Sequence, residues 1–110
     1  MAKSYKQNPK IEASYDAIFI GSGMGSLAGA AILSKEGMRV LVLEQHYTPG
    51  GYTHVFKRKG YEWDVGIHYI GEMQRKHSAM YKVFDYINDG TLKWADMGEV
   101  YDRIFLGENH

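Results

Sequence analysis

The sequence predicts an α/β fold: a parallel βαβ unit followed by a β-hairpin-rich, incomplete remainder. Three observations carry this. Tyr15–Ile20 is a short apolar run suited to a strand buried on both faces. Gly21, Gly23 and Gly25 follow it directly and open a helical segment. A second apolar run, Val40–Leu43, then ends on the acid Glu44. Strand, glycine turn, helix, strand and acid is the order of a Rossmann-like dinucleotide-binding unit.

Each element has a physical reason. After the first strand the backbone must turn sharply at Gly21, and at Gly23 a side chain would collide with an approaching pyrophosphate. The helix that follows directs its free N–H groups and the positive end of its dipole to the same place. The third fingerprint position, where a small residue lets helix and strand pack closely, falls on Ser26 rather than Gly or Ala. The helix is expected from about Met24 to Glu36, with Ser26, Gly29 and Ala30 against the sheet and Leu27, Ala31, Ile32 and Leu33 supplying apolar surface. Gly37 stands where a C-terminal capping glycine belongs. At the end of the second strand, the Glu44 carboxylate can accept two hydrogen bonds from a ribose diol and repels a 2′-phosphate.

Beyond Glu44 the run Gln45-His46-Tyr47-Thr48-Pro49-Gly50-Gly51 is a turn-rich loop, whose two adjacent glycines allow a second close approach of backbone to ligand. Thr53–Lys57 and Tyr61–Val65 read as strands joined by the solvated turn Arg58-Lys59-Gly60. In the next stretch, Asp64–Gly71, two glycines frame His68 and Tyr69, as they would where a chain passes close to a ring system. Arg75–His77 reads as a loop. From Ser78 to Asp89 the pattern is helical, with Met80, Val83, Phe84 and Ile87 on one stripe, Ser78 as N-cap and Gly90 just past the end. Leu92–Trp94 and Val100–Leu106 read as short strands.

Composition narrows the function classes. At 110 residues the chain holds at most one domain. The formal net charge is zero, which argues against nucleic acid as a partner. The absence of cysteine excludes disulfides, thiolate metal sites and a cysteinyl flavin link, and it fits a cytoplasmic location. Residues 1–14 form a polar leader carrying Lys3, Lys6 and Lys10, without the apolar core of a signal peptide. No apolar stretch is long enough to span a bilayer, which leaves peripheral membrane contact as the only membrane reading. The five histidines make no H-E-x-x-H and no i, i+4 pair, so no metal site is expected. Every aromatic residue except Tyr5, Tyr15 and Phe19 lies after His46, which suits either a flat apolar ligand or a strand-rich half.

Three stretches make the sequence recognisable: GSGMGSLAGAAILSKEGMRVLVLEQH, PGGYTHVFKRKGYEWDVGIHYIG and WADMGEVYDRIFLG. From Tyr15 onward the chain resembles the N-terminal part of FAD-dependent carotenoid and retinoid oxidoreductases: carotenoid isomerases, phytoene desaturase-like proteins and the retinol saturase (all-trans-retinol 13,14-reductase) group. The continuation into E-Q-H, P-G-G and D-x-G-I-H-Y-I-G leans toward retinol saturase.

The resemblance implies FAD as cofactor and a lipophilic polyene as substrate, which is saturated, desaturated or isomerised. It places Gly21, Gly23, Met24, Gly25 and Ser26 along the pyrophosphate, and Glu44, with Gln45 and His46 beside it, at the adenosine ribose. Gly50, Gly51, Tyr52 and Thr53 would lie under the cofactor, and His68, in the Gly66–Tyr69 turn, near its ring system. Family members are several times longer, so residues 15–110 are expected to be the first part of a FAD-binding domain, without its substrate domain or the C-terminal segment that closes over the cofactor. The remainder of the enzyme or a partner chain is then expected to complete it. The alternatives are a fragment of a nicotinamide-dependent dehydrogenase and a truncated, non-catalytic chain that needs a partner. No catalytic residue is assigned.

Overall fold

The structure is a computed structural model that describes residues 14–66 and 69–107. Its contacts divide the chain into two units, the first ending at Tyr69 and the second beginning at Ile70.

The first unit opens with the expected βαβ arrangement. Strand β1 (Ala17–Ile20) and strand β2 (Val40–Leu43) pair in parallel, with Ala17 opposite Val40 and Ile20 opposite Leu43. Helix α1 (Met24–Lys35) connects them. Parallel strands need a crossover of this kind, and both strands are rich in β-branched residues that suit the pleat. Gly37 follows the helix with φ 84°, the left-handed conformation expected of it. Helix and sheet pack closely at Gly29, where an added Cβ would lie 3.1 Å from the Phe19 ring, and Ala30 is buried beside it. Ser26, about one helical turn earlier, is half-buried. The alternation of β1 turns Ile18 and Ile20 the other way, and Ile20 remains 88 % exposed.

After β2 the chain passes through a loop and a 3-10 turn (Gly51–Thr53) into an antiparallel hairpin, β3 (Val55–Arg58) and β4 (Tyr61–Asp64). Lys59 and Gly60 form a two-residue connection with both φ values positive, as a tight hairpin turn requires. Thr53 belongs to the 3-10 turn and not to β3: its hydroxyl donates to the Gly50 carbonyl at 2.6 Å, which favours a turn over an extended strand. Lys57 and Glu62 are cross-strand partners and form an exposed 2.8 Å ion pair, which adds little stability. The hairpin is tied back to the loop, because Val65 N–H donates to the His54 carbonyl at 3.2 Å.

The second unit contains one helix among the described residues, α2 (Ala79–Asn88). Ser78 caps it by accepting from Tyr81 N–H at 3.0 Å, and Ser78 Oγ donates to the Glu72 carbonyl at 3.1 Å. At its other end Asp89 and Gly90 both adopt positive φ, and Gly90 N–H donates to the Asp85 carbonyl. Phe84 and Trp94 meet edge-on at 5.3 Å. The strands expected at Leu92–Trp94 and Val100–Leu106 do not form. A strand needs a partner ladder, and here local bonds take its groups instead: Leu92 N–H donates to Asn88 Oδ1, and Arg103 N–H donates to Asp102 Oδ1. The remainder therefore holds a single hairpin among the described residues.

Candidate functional site

The site is built where β1 hands over to α1. Gly21 N–H donates to the Leu43 carbonyl at 2.6 Å, which continues the parallel pairing one residue past the strand and anchors the glycine turn to the end of β2. Gly23 is the N-cap of α1, with φ −64° and ψ 168°, and its carbonyl accepts the first helical bond, from Leu27 N–H at 3.0 Å. The N–H groups of the first turn, which includes Met24, Gly25 and Ser26, have no partner earlier in the helix and point out of its end. Among the described residues, a Cβ added at Gly21, Gly23 or Gly25 would meet nothing within 4 Å. The turn is thus lined with bare backbone facing open space, a shape that admits a phosphate group.

Glu44 stands at the carboxyl end of β2. Its Oε2 accepts from Ser22 N–H at 2.7 Å and from Ser22 Oγ at 2.5 Å, while its Oε1 accepts from His46 N–H at 2.7 Å. These bonds favour the ionised form. Led by the Ser22 hydroxyl, they lower the Glu44 pKa from 4.5 to about 2, so the carboxylate is charged at every ordinary pH.

The Pro49-Gly50-Gly51 loop closes on the same turn. Gly50 N–H donates to Ser22 Oγ at 3.0 Å, and a Cβ added at Gly51 would lie 3.1 Å from the Gly23 Cα. Gly51 also has φ 58°, so close approach and backbone conformation both require glycine there. Behind the loop, a Cβ at Gly66 would fall 2.6 Å from the Tyr52 carbonyl oxygen, so that glycine seats the chain after β4 against the 3-10 turn.

The expected site residues are therefore brought together in part. The backbone of residues 21–26, Glu44, His46, Gly50 and Gly51 converge. Gln45 and His46 are exposed beside the acid. The His46 ring lies 4.8 Å from that of His54 and 4.2 Å from that of Tyr47. Met24 and Tyr52 contribute no converging side chain: Met24 is exposed and Tyr52 is 83 % exposed. The Thr53 hydroxyl is taken up in its own turn. His68 lies outside the described residues. Among the described residues, no three His, Cys, Asp or Glu side chains are placed to hold a metal ion, and no helix is long and apolar enough to cross a membrane.

Sequence reasoning missed Ser22. It is 1 % exposed, and its hydroxyl joins Glu44 to Gly50. The available signal was a hydroxyl residue between two turn glycines with an acid at the end of the next strand.

The sequence of the chain matches known proteins. The family model described as an NAD(P)-binding Rossmann-like domain matches residues 20–87. The chain is 50 % identical over 91 residues to all-trans-retinol 13,14-reductase of Rattus norvegicus, covering 83 % of this chain and 15 % of the relative. It is 36 % identical over 108 residues to an inactive all-trans-retinol 13,14-reductase of Danio rerio, covering 98 % of this chain and 18 % of that protein. Over 52 residues it is 54 % identical to prolycopene isomerase 2, chloroplastic, of an Oncidium hybrid cultivar, covering 47 % of this chain and 9 % of the relative. The chain thus spans less than a fifth of the length of each of these relatives.

Proposed function

Because the chain belongs to the NAD(P)-binding Rossmann-like domain family, we propose that residues 15–110 are the cofactor-binding portion of a FAD-dependent oxidoreductase acting on conjugated polyenes. The observation that carries the reading is the seating of the Gly50-Gly51 loop on Gly23. A diphosphate at the glycine turn then faces two stretches of bare backbone, and a nicotinamide dehydrogenase gives the second stretch no purpose. The site fits such a ligand, since the open spaces at Gly23 and Gly25 admit phosphate oxygens and the ionised Glu44 sets a negative charge at the end of β2.

In this reading the backbone of residues 21–26 holds the diphosphate and Glu44 meets the adenosine ribose. The Gly50-Gly51 loop, with Tyr52 and Thr53, lies beneath the cofactor. The flavin, when bound, supplies the exchange of electrons with a conjugated double bond, and this part of the protein binds and orients it. A polyene substrate follows from the similarity to a retinol reductase and a prolycopene isomerase. The remaining proposals are a polar leader over residues 1–14, a substrate-binding part supplied by further polypeptide, and a cytoplasmic location with peripheral membrane contact.

Parallel equilibrium titrations of the intact gene product with FAD and with NAD test the proposal. Affinity for FAD well above that for NAD is expected. Preference for NAD would establish instead the nicotinamide reading, which the family model's description favours. The similarity to a relative described as inactive supports a non-catalytic role, and failure to bind either dinucleotide would favour it.

A further inference from the structure

We propose that Ser22 is a positioning residue that locks the glycine turn, the Glu44 carboxylate and the Pro49-Gly50-Gly51 loop into one frame before a dinucleotide arrives. This rests on the dinucleotide-binding reading above and adds to it a side chain whose hydroxyl is taken up by protein groups and not by the ligand. Ser22 is buried at 1 % exposure, between the turn and the loop. Its hydroxyl is used in both senses, donating to Glu44 Oε2 at 2.5 Å and accepting from Gly50 N–H at 3.0 Å. Its own N–H donates to the same carboxylate oxygen at 2.7 Å. A hydroxyl can make both bonds from one atom, because it carries one donor hydrogen and two acceptor lone pairs.

The consequence concerns Glu44. Oε2 is committed to Ser22, and Oε1 already accepts from His46 N–H. The orientation of the acid is therefore set by the frame and not by the ligand. Without the Ser22 hydroxyl, the carboxylate loses one of its anchors and the buried Gly50 N–H loses its acceptor, so the second glycine loop separates from the first. Loss of the Ser22 hydroxyl then weakens dinucleotide binding through ordering, with the backbone of the turn left in place.

The test combines Ser22→Ala and Glu44→Gln, singly and together, with Ser22→Thr as the conservative variant. The amide introduced by Glu44→Gln must turn its nitrogen either to the Ser22 donors or to His46 N–H, so one side of the frame opens in that variant also. Two readouts are taken on the intact gene product: the FAD dissociation constant by flavin fluorescence, and amide hydrogen exchange of the peptide spanning residues 45–53 without cofactor. Ser22→Ala is expected to weaken FAD binding by about 10- to 150-fold, the range for loss of a hydrogen bond to a charged group. It should also speed exchange at Gly50 and Gly51, and the double variant should be little worse than the worse single variant, because both act through one frame. Ser22→Thr, which keeps the hydroxyl, should slow exchange at Gly50 back toward the parent rate.

Unchanged exchange at Gly50 in Ser22→Ala would overturn the proposal whatever ligand the protein takes. Fully additive losses in the double variant would overturn it too. A parent protein that binds no FAD would defeat the flavin reading alone, and the exchange measurement would still decide the role of Ser22.

Discussion

Replacing Gly23 by alanine separates the cost of a side chain to the fold from its cost to the ligand. In the structure, a Cβ at Gly23 meets no described atom within 4 Å, and φ −64° with ψ 168° is a conformation open to alanine. The fold therefore loses only the preference for glycine over alanine at an N-cap, within about 1 kcal/mol. The ligand loses more. A methyl group standing in the diphosphate space displaces at least one backbone N–H bond to a charged oxygen, worth about 1.5–3 kcal/mol, or roughly 10- to 150-fold in Kd. Thermal unfolding without cofactor should show a small shift, while flavin fluorescence titration should show the large one. The ligand-induced rise in Tm at fixed FAD should fall accordingly. Undiminished flavin affinity in Gly23→Ala would refute the reasoning, because the open space would then not be the ligand's. A variant that unfolds without cofactor would refute the statement that the space is free in the fold.

Gly66→Ala is expected to do the reverse: its Cβ would fall 2.6 Å from the Tyr52 carbonyl oxygen, a backbone atom that cannot swing aside, so a loss of about 1–3 kcal/mol should appear in denaturant unfolding of the cofactor-free protein. Unfolding at the parent denaturant midpoint would show that the 3-10 turn yields freely. The pH dependence follows from Glu44, whose folded pKa of about 2 lies below its ordinary 4.5. The unfolded state binds the proton first, so the stability Glu44 contributes is fully present above pH 4.5 and is lost as the pH falls toward 2. Glu44→Gln should remove that component of the acid limb of a Tm-against-pH curve, and an identical acid limb in the variant would contradict the assignment.

Much of the first unit was legible in the residues because its signals are local. An apolar run, turn glycines, a helix with a capping glycine and a second run ending on an acid specify β1, α1 and β2 within a residue or two. The hairpin was legible from two strand-like runs around the turn Arg58-Lys59-Gly60, although Arg58 belongs to β3, and α2 was legible from its stripe and its Ser78 cap. Glu44 could be placed beside the glycine turn because the carboxyl ends of neighbouring parallel strands lie at the same edge of the sheet.

Tertiary structure decided what depends on residues distant in the chain. The burial of Ser22 follows from Glu44 and Gly50, 22 and 28 positions away, and a serine between glycines carries no local mark of it. The closeness of Gly29 to the sheet depends on the Phe19 ring, and the need for glycine at 51 and 66 arises from the Gly23 Cα and the Tyr52 carbonyl. Leu92–Trp94 and Val100–Leu106 have the composition of strands, but composition supplies only one side of a ladder. Local propensity is a property of a segment, whereas a strand, a buried hydroxyl or a backbone-to-backbone contact exists only once its partner is in place.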